Sequence, residues 1–393
     1  MTTEGLKIVI SILTSISVLL LSYFVGNTSY PMAGEKAVLV KLNKWKSYLN
    51  LNKDSVPDDV LLINVAFDKA LTDYSENGMP IGQFTITDRQ KLLSFLQKAR
   101  KANNYKYIMM DVILEKGIET EYDSALFHTI VTTPRMVIPV HADAPLQDSI
   151  LYSKAANADY NITHDETNFA RFQFTHDDIP SMPLKIYEAK TGKKIERHGW
   201  FYTSDGHLCS NAITLKLPVR ISGQFLKGLD EDDGNVNMRQ RSYIYMGADV
   251  LAMDDVLPVS EQIKDKIVVI GDFNSDVHRT YAGPQPGSVI CLNAYYALLR
   301  GEHYVSYPFT IFLFLIYVLI TMLILNGKTI DALFENPMLK FASSFFGYTV
   351  IFSIIAMVVY ATPSGIVYNP VMPTTIFSFF GLFMGGLRKI KKV

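Results

Sequence analysis

Long apolar blocks at both ends enclose a stretch of mixed polarity. From Ile8 to Val25 no charged residue occurs, and at about 1.5 Å per residue such a run, as a helix, reaches across a hydrocarbon core of roughly 30 Å. Lys7 stands just before it. The run exceeds the apolar region of a secretory signal, and Gly26-Asn27-Thr28-Ser29 is a poor cleavage site, so an uncleaved anchor is expected. Phe309 to Leu325 forms a second apolar run, closed by Asn326-Gly327-Lys328. From Phe341 to Leu387 no charge appears, a length that must fold back. The break at Ala361-Thr362-Pro363-Ser364-Gly365 predicts helices over 341–361 and 366–387, since Pro removes a backbone donor and Gly frees the turn.

Between the first two runs the periodicity changes. Val60 to Ala66 is continuously apolar apart from Asn64 and ends at Asp68, as a strand buried on both faces does. Leu92, Leu93, Phe95, Leu96 and Ala99 follow at helical spacing, with Thr87 or Asp88 as the N-cap. Tyr107 to Leu114 is a second strand, so the three elements predict a parallel, right-handed βαβ unit. Asp123 to Ile130 and Leu184 to Ala189 are expected helices, and Arg135 to Val140 a strand. Lys266 to Gly271 is a further strand, and Ser288 to Leu299 a helix leading toward the membrane.

Charge fixes the orientation. Arg388, Lys389, Lys391 and Lys392 directly follow the last apolar run, and the positive-inside rule places such a cluster in the cytoplasm. Four spans then put both termini there and residues 27–307 outside. The 393 residues include 37 Lys and Arg against 38 Asp and Glu, for a net charge of -1, so no global positive field exists to hold nucleic acid. A content of 49% hydrophobic residues excludes disorder. Two cysteines, Cys209 and Cys291, allow at most one disulfide, and their separation gives no reason to expect it.

Candidate chemistry is sparse. Asp111 sits at the end of a hydrophobic strand, where α/β sheets form ligand crevices. Asp68 follows a neighbouring strand, and Asp272 and Asp276 follow a third. Four carboxylates could therefore share one rim and bind a cation or an amine, although each also suits a helix or turn cap. The densest histidine grouping, His164-Asp165 with His176-Asp177-Asp178, lacks helical metal-ligand spacing, and no metal is expected. No Gly-x-Ser-x-Gly elbow or P-loop occurs, and Gly283-Pro284-Gln285-Pro286-Gly287 is too proline-rich to cradle phosphate, so neither an enzyme nor a cofactor is expected.

Asn64 to Asp68, the Tyr107 to Leu114 strand with Asp111, Lys266 to Gly271, Asp276 before Pro284-Gln285-Pro286-Gly287, and Leu292 to Leu299 together resemble the CHASE2 domain, an extracytoplasmic sensor of bacterial signalling proteins. The family frame of one anchor before the domain and three spans after it resembles the whole chain. The resemblance implies an α/β extracytoplasmic domain with a mixed sheet, plus a four-helix transmembrane region. The chain then divides into an anchor (1–26), a periplasmic sensor domain (27–307) and three helices with a short basic tail (308–393). Members commonly carry an output module after the last span, where only Arg388 to Val393 stand here. The family's Asp-Gly-x-x-Arg turn is matched in outline by Asp165-Glu166-Thr167-Asn168 before Arg171. The expected protein lies in a bacterial inner membrane, detects an unknown extracytoplasmic ligand or partner, and signals to a separate protein. Its expected partners are membrane lipid and, through the transmembrane helices, an unknown protein or a second copy. Small residues at Ser11, Ser15 and Ser22 and at Gly381, Gly385 and Gly386 are the candidates for that packing. The alternative is a structural or docking subunit of an inner-membrane complex with no small ligand.

Overall fold

The computed structural model describes residues 3–28, 33–49, 56–76, 79–159, 170–176, 178–221, 242–328, 336–361 and 368–390. His164, the Asp165 to Asn168 turn, Asp177, Lys391 and Lys392 lie outside these residues.

Six strands form the central sheet: β1 (Val60–Asn64), β2 (Tyr107–Asp111), β3 (Met136–Val140), β4 (Ala155–Asn157), β5 (Tyr243–Tyr245) and β6 (Ile267–Gly271). Their order is β5-β1-β6-β2-β3-β4, and every pairing is parallel. Small antiparallel sheets stand beside it, among them the hairpin Lys69–Glu76 with Met79–Thr87, and together they give the mixed strand content. The continuous apolar runs follow from burial on both faces. Val60, Leu62, Ile267 and Val269 join one core, with the helices Met182–Thr191 and Gly287–Leu299. Leu61, Ile63, Val268 and Ile270 join the other, with Arg89–Ala102 and Asp123–Thr132. Truncating one such side chain, as in Ile63→Ala, removes about 2 to 5 kcal/mol through lost transfer energy and the cavity left behind.

The expected helix after β1 is capped by Asp88, whose side chain accepts from the Lys91 amide at 3.1 Å, and it ends at Asn103 in the left-handed conformation, φ 46°. The strands on either side of it are parallel, as predicted, but they are not neighbours. β6 lies between them, with Leu62 opposite Val269 and Val269 opposite Met109.

Among the described residues three helices are long and apolar enough to cross a membrane: Thr3–Gly26, Tyr307–Leu325 and Ala342–Tyr360, the last within the helix Pro337–Ala361. The fourth expected span is the helix Val371–Ile390, with a shorter apolar stretch, Val371–Leu387. It begins at Val371 and not at the expected 366, with Asn369 as its cap, the side-chain oxygen accepting from the Val371 amide at 2.8 Å; the expected break at Thr362 to Gly365 lies outside the described residues. The first two spans lie against each other, and at their far end from the domain Lys7 donates to the Asn326 side chain at 2.7 Å. Ser11 and Ser15 are buried within this bundle, each hydroxyl bonded to its own helix. A Cβ at Gly381 would meet Ser344 Oγ at 4.0 Å, and one at Gly385 or Gly386 would meet nothing within 4 Å.

Candidate functional site

Parallel register sets Asn64, Gly271 and Asp111 side by side at the carboxyl edge of the sheet. Asn64 is fully engaged. Its amide donates to Tyr243 Oη at 2.6 Å and to Asn274 at 3.0 Å, and its oxygen accepts from the Ala66 amide at 2.9 Å. Gly271 leaves room for what surrounds it, because a Cβ there would lie 3.0 Å from Ser288 Oγ. Beyond β6 the hairpin Val277–Thr280 with Gly283–Pro286 turns back and runs directly into the helix Gly287–Leu299. That fold carries Asp276 and His278 to Asp111.

Asp276 Oδ1 and His278 Nε2 are paired at 3.0 Å. Gly287 packs so closely that a Cβ would sit 2.6 Å from Asp276 Oδ2 and 3.2 Å from His278 Nε2. Asp111 differs from both, for its residue is partly exposed while its carboxyl end is surrounded by protein and accepts no hydrogen bond from a described residue. Burial, with the charge of Asp276 adding to it, pushes the Asp111 pKa up to about 7, against an opposing pull from His278. The hydrogen bond that the His278 ring donates to Asp276 raises the His278 pKa in turn. Burial opposes that rise, while the charges of Asp276 and Asp111 add to it. Two carboxylates and an imidazole thus share one small volume at the strand ends.

The other two candidate carboxylates are each held by a lysine. Asp68 is buried, accepting from Lys91 Nζ at 2.7 Å and from the Gly247 amide at 3.0 Å. Position 247 must be Gly, since a Cβ there would collide with Asp68 Oδ1. Phe67, Asp68, Lys91, Tyr245 and Gly247 line an open cleft of about 550 Å³. Asp272 pairs with Lys69 at 2.8 Å and accepts from the Asn274 and Ser275 amides at 3.1 and 2.8 Å. Burial alone would raise its pKa, but the Lys69 hydrogen bond and the Ser275 amide outweigh it and hold the carboxyl below its ordinary range. The four residues therefore lie along one edge of the sheet. The structure brings together Asp111 and Asp276, and it adds His278, which in sequence is one histidine among eight.

His141, Asp143 and Asp159 can bring one ligand atom each within 4.8 Å. His141 Nδ1 is already paired with Asp159 at 3.0 Å, and the other Asp159 oxygen accepts from the Ala142 amide at 2.9 Å. This is ordinary loop capping between the ends of β3 and β4. Cys209 and Cys291 are both buried and are not joined by a disulfide.

A second feature ties the domain to the membrane helices. Arg171 begins a short strand paired with Ala212–Thr214, and its guanidinium meets Glu35, with Nε 2.9 Å and Nη2 2.7 Å from Oε2. Both side chains have no solvent exposure. Glu35 belongs to the helix Ala33–Tyr48, which packs on the Pro337–Ala361 helix. Arg171 Nη1 donates to the Val25 carbonyl at 2.7 Å and to that of Thr28 at 3.1 Å. It satisfies carbonyls that the end of the first span leaves without partners, at the negative end of the helix dipole.

An α/β domain with an open charged edge, locked onto membrane-length helices, has the build of a membrane-anchored protein. The CHASE2 domain model matches residues 36–326, and the chain belongs to the CHASE2 family, whose members are sensory, non-catalytic extracytoplasmic domains. No curated protein and no solved structure is significantly similar to it.

Proposed function

We propose that this protein is a membrane-anchored sensor in which a change at the Asp111, Asp276 and His278 cluster reaches the membrane helices through Arg171 and Glu35. The buried Arg171–Glu35 pair carries the reading. One guanidinium joins a strand of the domain, the following helix and the terminal carbonyls of the first span, so none of the three can shift without disturbing the others. The ligand, a cation or a protonated amine, neutralises the Asp111 carboxylate. The domain faces the periplasm, both termini are cytoplasmic, and the spans pass the change to a separate protein in a bacterial inner membrane. Asp68 and Asp272 flank the cluster and hold its loops through Lys91 and Lys69.

Hydrogen exchange of the full chain in nanodiscs tests this without knowledge of the ligand. Asp111→Asn imitates the neutralised carboxylate with little change of shape. The expected result is altered exchange in residues 23–28 and 33–48 as well as around the substitution. Exchange altered only near residues 271–288 would refute transmission and leave a docking subunit as the better reading. A thiol placed at exposed Tyr152 is expected to react with an impermeant reagent from outside, and one appended after Val393 only from inside.

A further inference from the structure

We propose that the Gly199-Trp200-Phe201 turn is a membrane-dipping tip that inserts into the bilayer leaflet on the domain's side, giving the protein a lipid contact beyond its spans. The turn joins the strands Glu196–His198 and Phe201–Ser204 with His198 opposite Phe201. Gly199 at φ +64° makes this two-residue reversal possible and places Trp200 at the apex. Trp200 is 76% exposed and Phe201 39% exposed, two large apolar side chains together on a tip where water would be costly.

The surroundings say what covers them. Phe24, in the last turn of the first span, meets Trp200 with ring centroids 5.5 Å apart and Phe201 at 5.8 Å. Tyr23 meets Phe201 at 5.6 Å. The Tyr23 hydroxyl fixes the hairpin as well, accepting from the Tyr202 amide at 3.0 Å and donating to the Cys209 carbonyl at 2.8 Å. Depth follows from the helix itself. Lys7 and Asn326 mark the far boundary of the first two spans, and Phe24 stands seventeen positions after Lys7 in one continuous helix. At about 1.5 Å per residue that is about 25 Å, near the opposite boundary of a hydrocarbon core of roughly 30 Å. This is the level at which Trp and Tyr gather in membrane proteins, with an apolar ring in lipid and a polar edge among headgroups. Behind the tip an apolar cavity of about 160 Å³, lined by Leu19, Leu20, Phe201, Leu208 and Leu313 among others, continues the same lipid-like surface between the spans and the hairpin. Arg197, exposed beside the tip, donates to the Gly199 carbonyl at 3.1 Å and stands at headgroup height. The occupant is therefore lipid of the bilayer that holds the spans.

The chain contains two tryptophans, which makes the test direct. Trp45 is 68% exposed, so Trp45→Phe leaves Trp200 as the sole indole with little risk to folding. The full chain carrying this change is placed in vesicles of three parts phosphatidylcholine to one part phosphatidylglycerol, with lipids brominated at a shallow or a deep acyl position. The expected result is at least twofold stronger quenching by the shallow bromine than by the deep one, together with protection from iodide. Strong iodide quenching without bromolipid quenching would place the tip in water and overturn the proposal. Protection from both would mean that protein covers the tip, either a second copy or another part of this chain, and would overturn it equally. The double variant Trp45→Phe, Trp200→Phe must lose the shallow-quenched emission; its persistence would mean that the signal does not come from Trp200 and would overturn the proposal too.

Discussion

Two of the molecule's charged centres are built in opposite ways. Arg171 and Glu35 have no solvent exposure, and the guanidinium hydrogen-bonds both the carboxylate and backbone carbonyls. Asp111 keeps a carboxyl surrounded by protein, with no hydrogen bond from a described residue and a like charge beside it. The first arrangement resists change, because separating the pair strands a charge in the protein. The second invites change, because a proton or a cation relieves it. A sensor needs both, a site that is easily altered and a joint that does not yield by itself.

The contrast breaks most visibly at the joint. Glu35→Gln leaves the Arg171 charge uncompensated, and a loss of about 3 to 5 kcal/mol is expected in denaturant unfolding of the detergent-solubilised chain. A loss below about 1 kcal/mol would remove the joint from the account. Gly247→Ala drives a methyl group into the Asp68 and Lys91 pair and is expected to cost about 1 to 3 kcal/mol, measured the same way.

Asp111→Asn should act in the opposite direction. The folded chain binds the Asp111 proton more tightly than the unfolded chain does, so this group's penalty is absent below about pH 4 and grows as pH rises to about 7. Discounted for solvent screening of a partly exposed residue, removing the carboxyl is expected to stabilise the protein by about 1 to 2 kcal/mol at pH 8 and to change little at pH 4. Equal effects at both pH values would mean that the carboxyl does not titrate in this window. The smallest effect belongs to Asp276→Asn, which removes the like charge from Asp111 and the partner from His278. Both pKa values should fall by less than about one unit, readable by NMR of the imidazole and by the pH midpoint of stability. The His278 contribution has the reverse pH sense to that of Asp111. It is fully present below the unfolded imidazole pKa near 6.5 and is lost as pH rises through the raised folded value.

Local pattern made much of the fold legible. The Asp88 cap, the helix with Leu92 and Leu96, the doubly buried strands and the apolar spans all follow from neighbouring residues, and each stands close to its expected place. Long-range pairing was not legible. Nothing around Lys266 to Gly271 says that this strand slips between two others more than 150 positions earlier in the chain. The helix Ala33–Tyr48 carries lysines on an apolar background too irregular to announce a face. At the site, Asp111 could be found from its place at a strand end, and Asp276 from its place after the next strand. His278 could not, because only the hairpin Val277–Pro286 folds it onto Asp111. Glu35 lies 136 positions from Arg171, with no local signal linking the two.

In the proposed function the responsive edge and the rigid joint act as one path to the membrane. Spin labels at Leu21 and Phe383, both exposed and on different spans, can read that path in nanodiscs by pulsed distance measurement. Cys209 and Cys291 are buried, so the introduced thiols are the ones labelled. The distance distribution is expected to shift between pH 6 and pH 8, and Asp111→Asn to hold it at the pH 6 form at both values. A shift of the same size in Asp111→Asn as in the parent protein, or none in either, would contradict such a path.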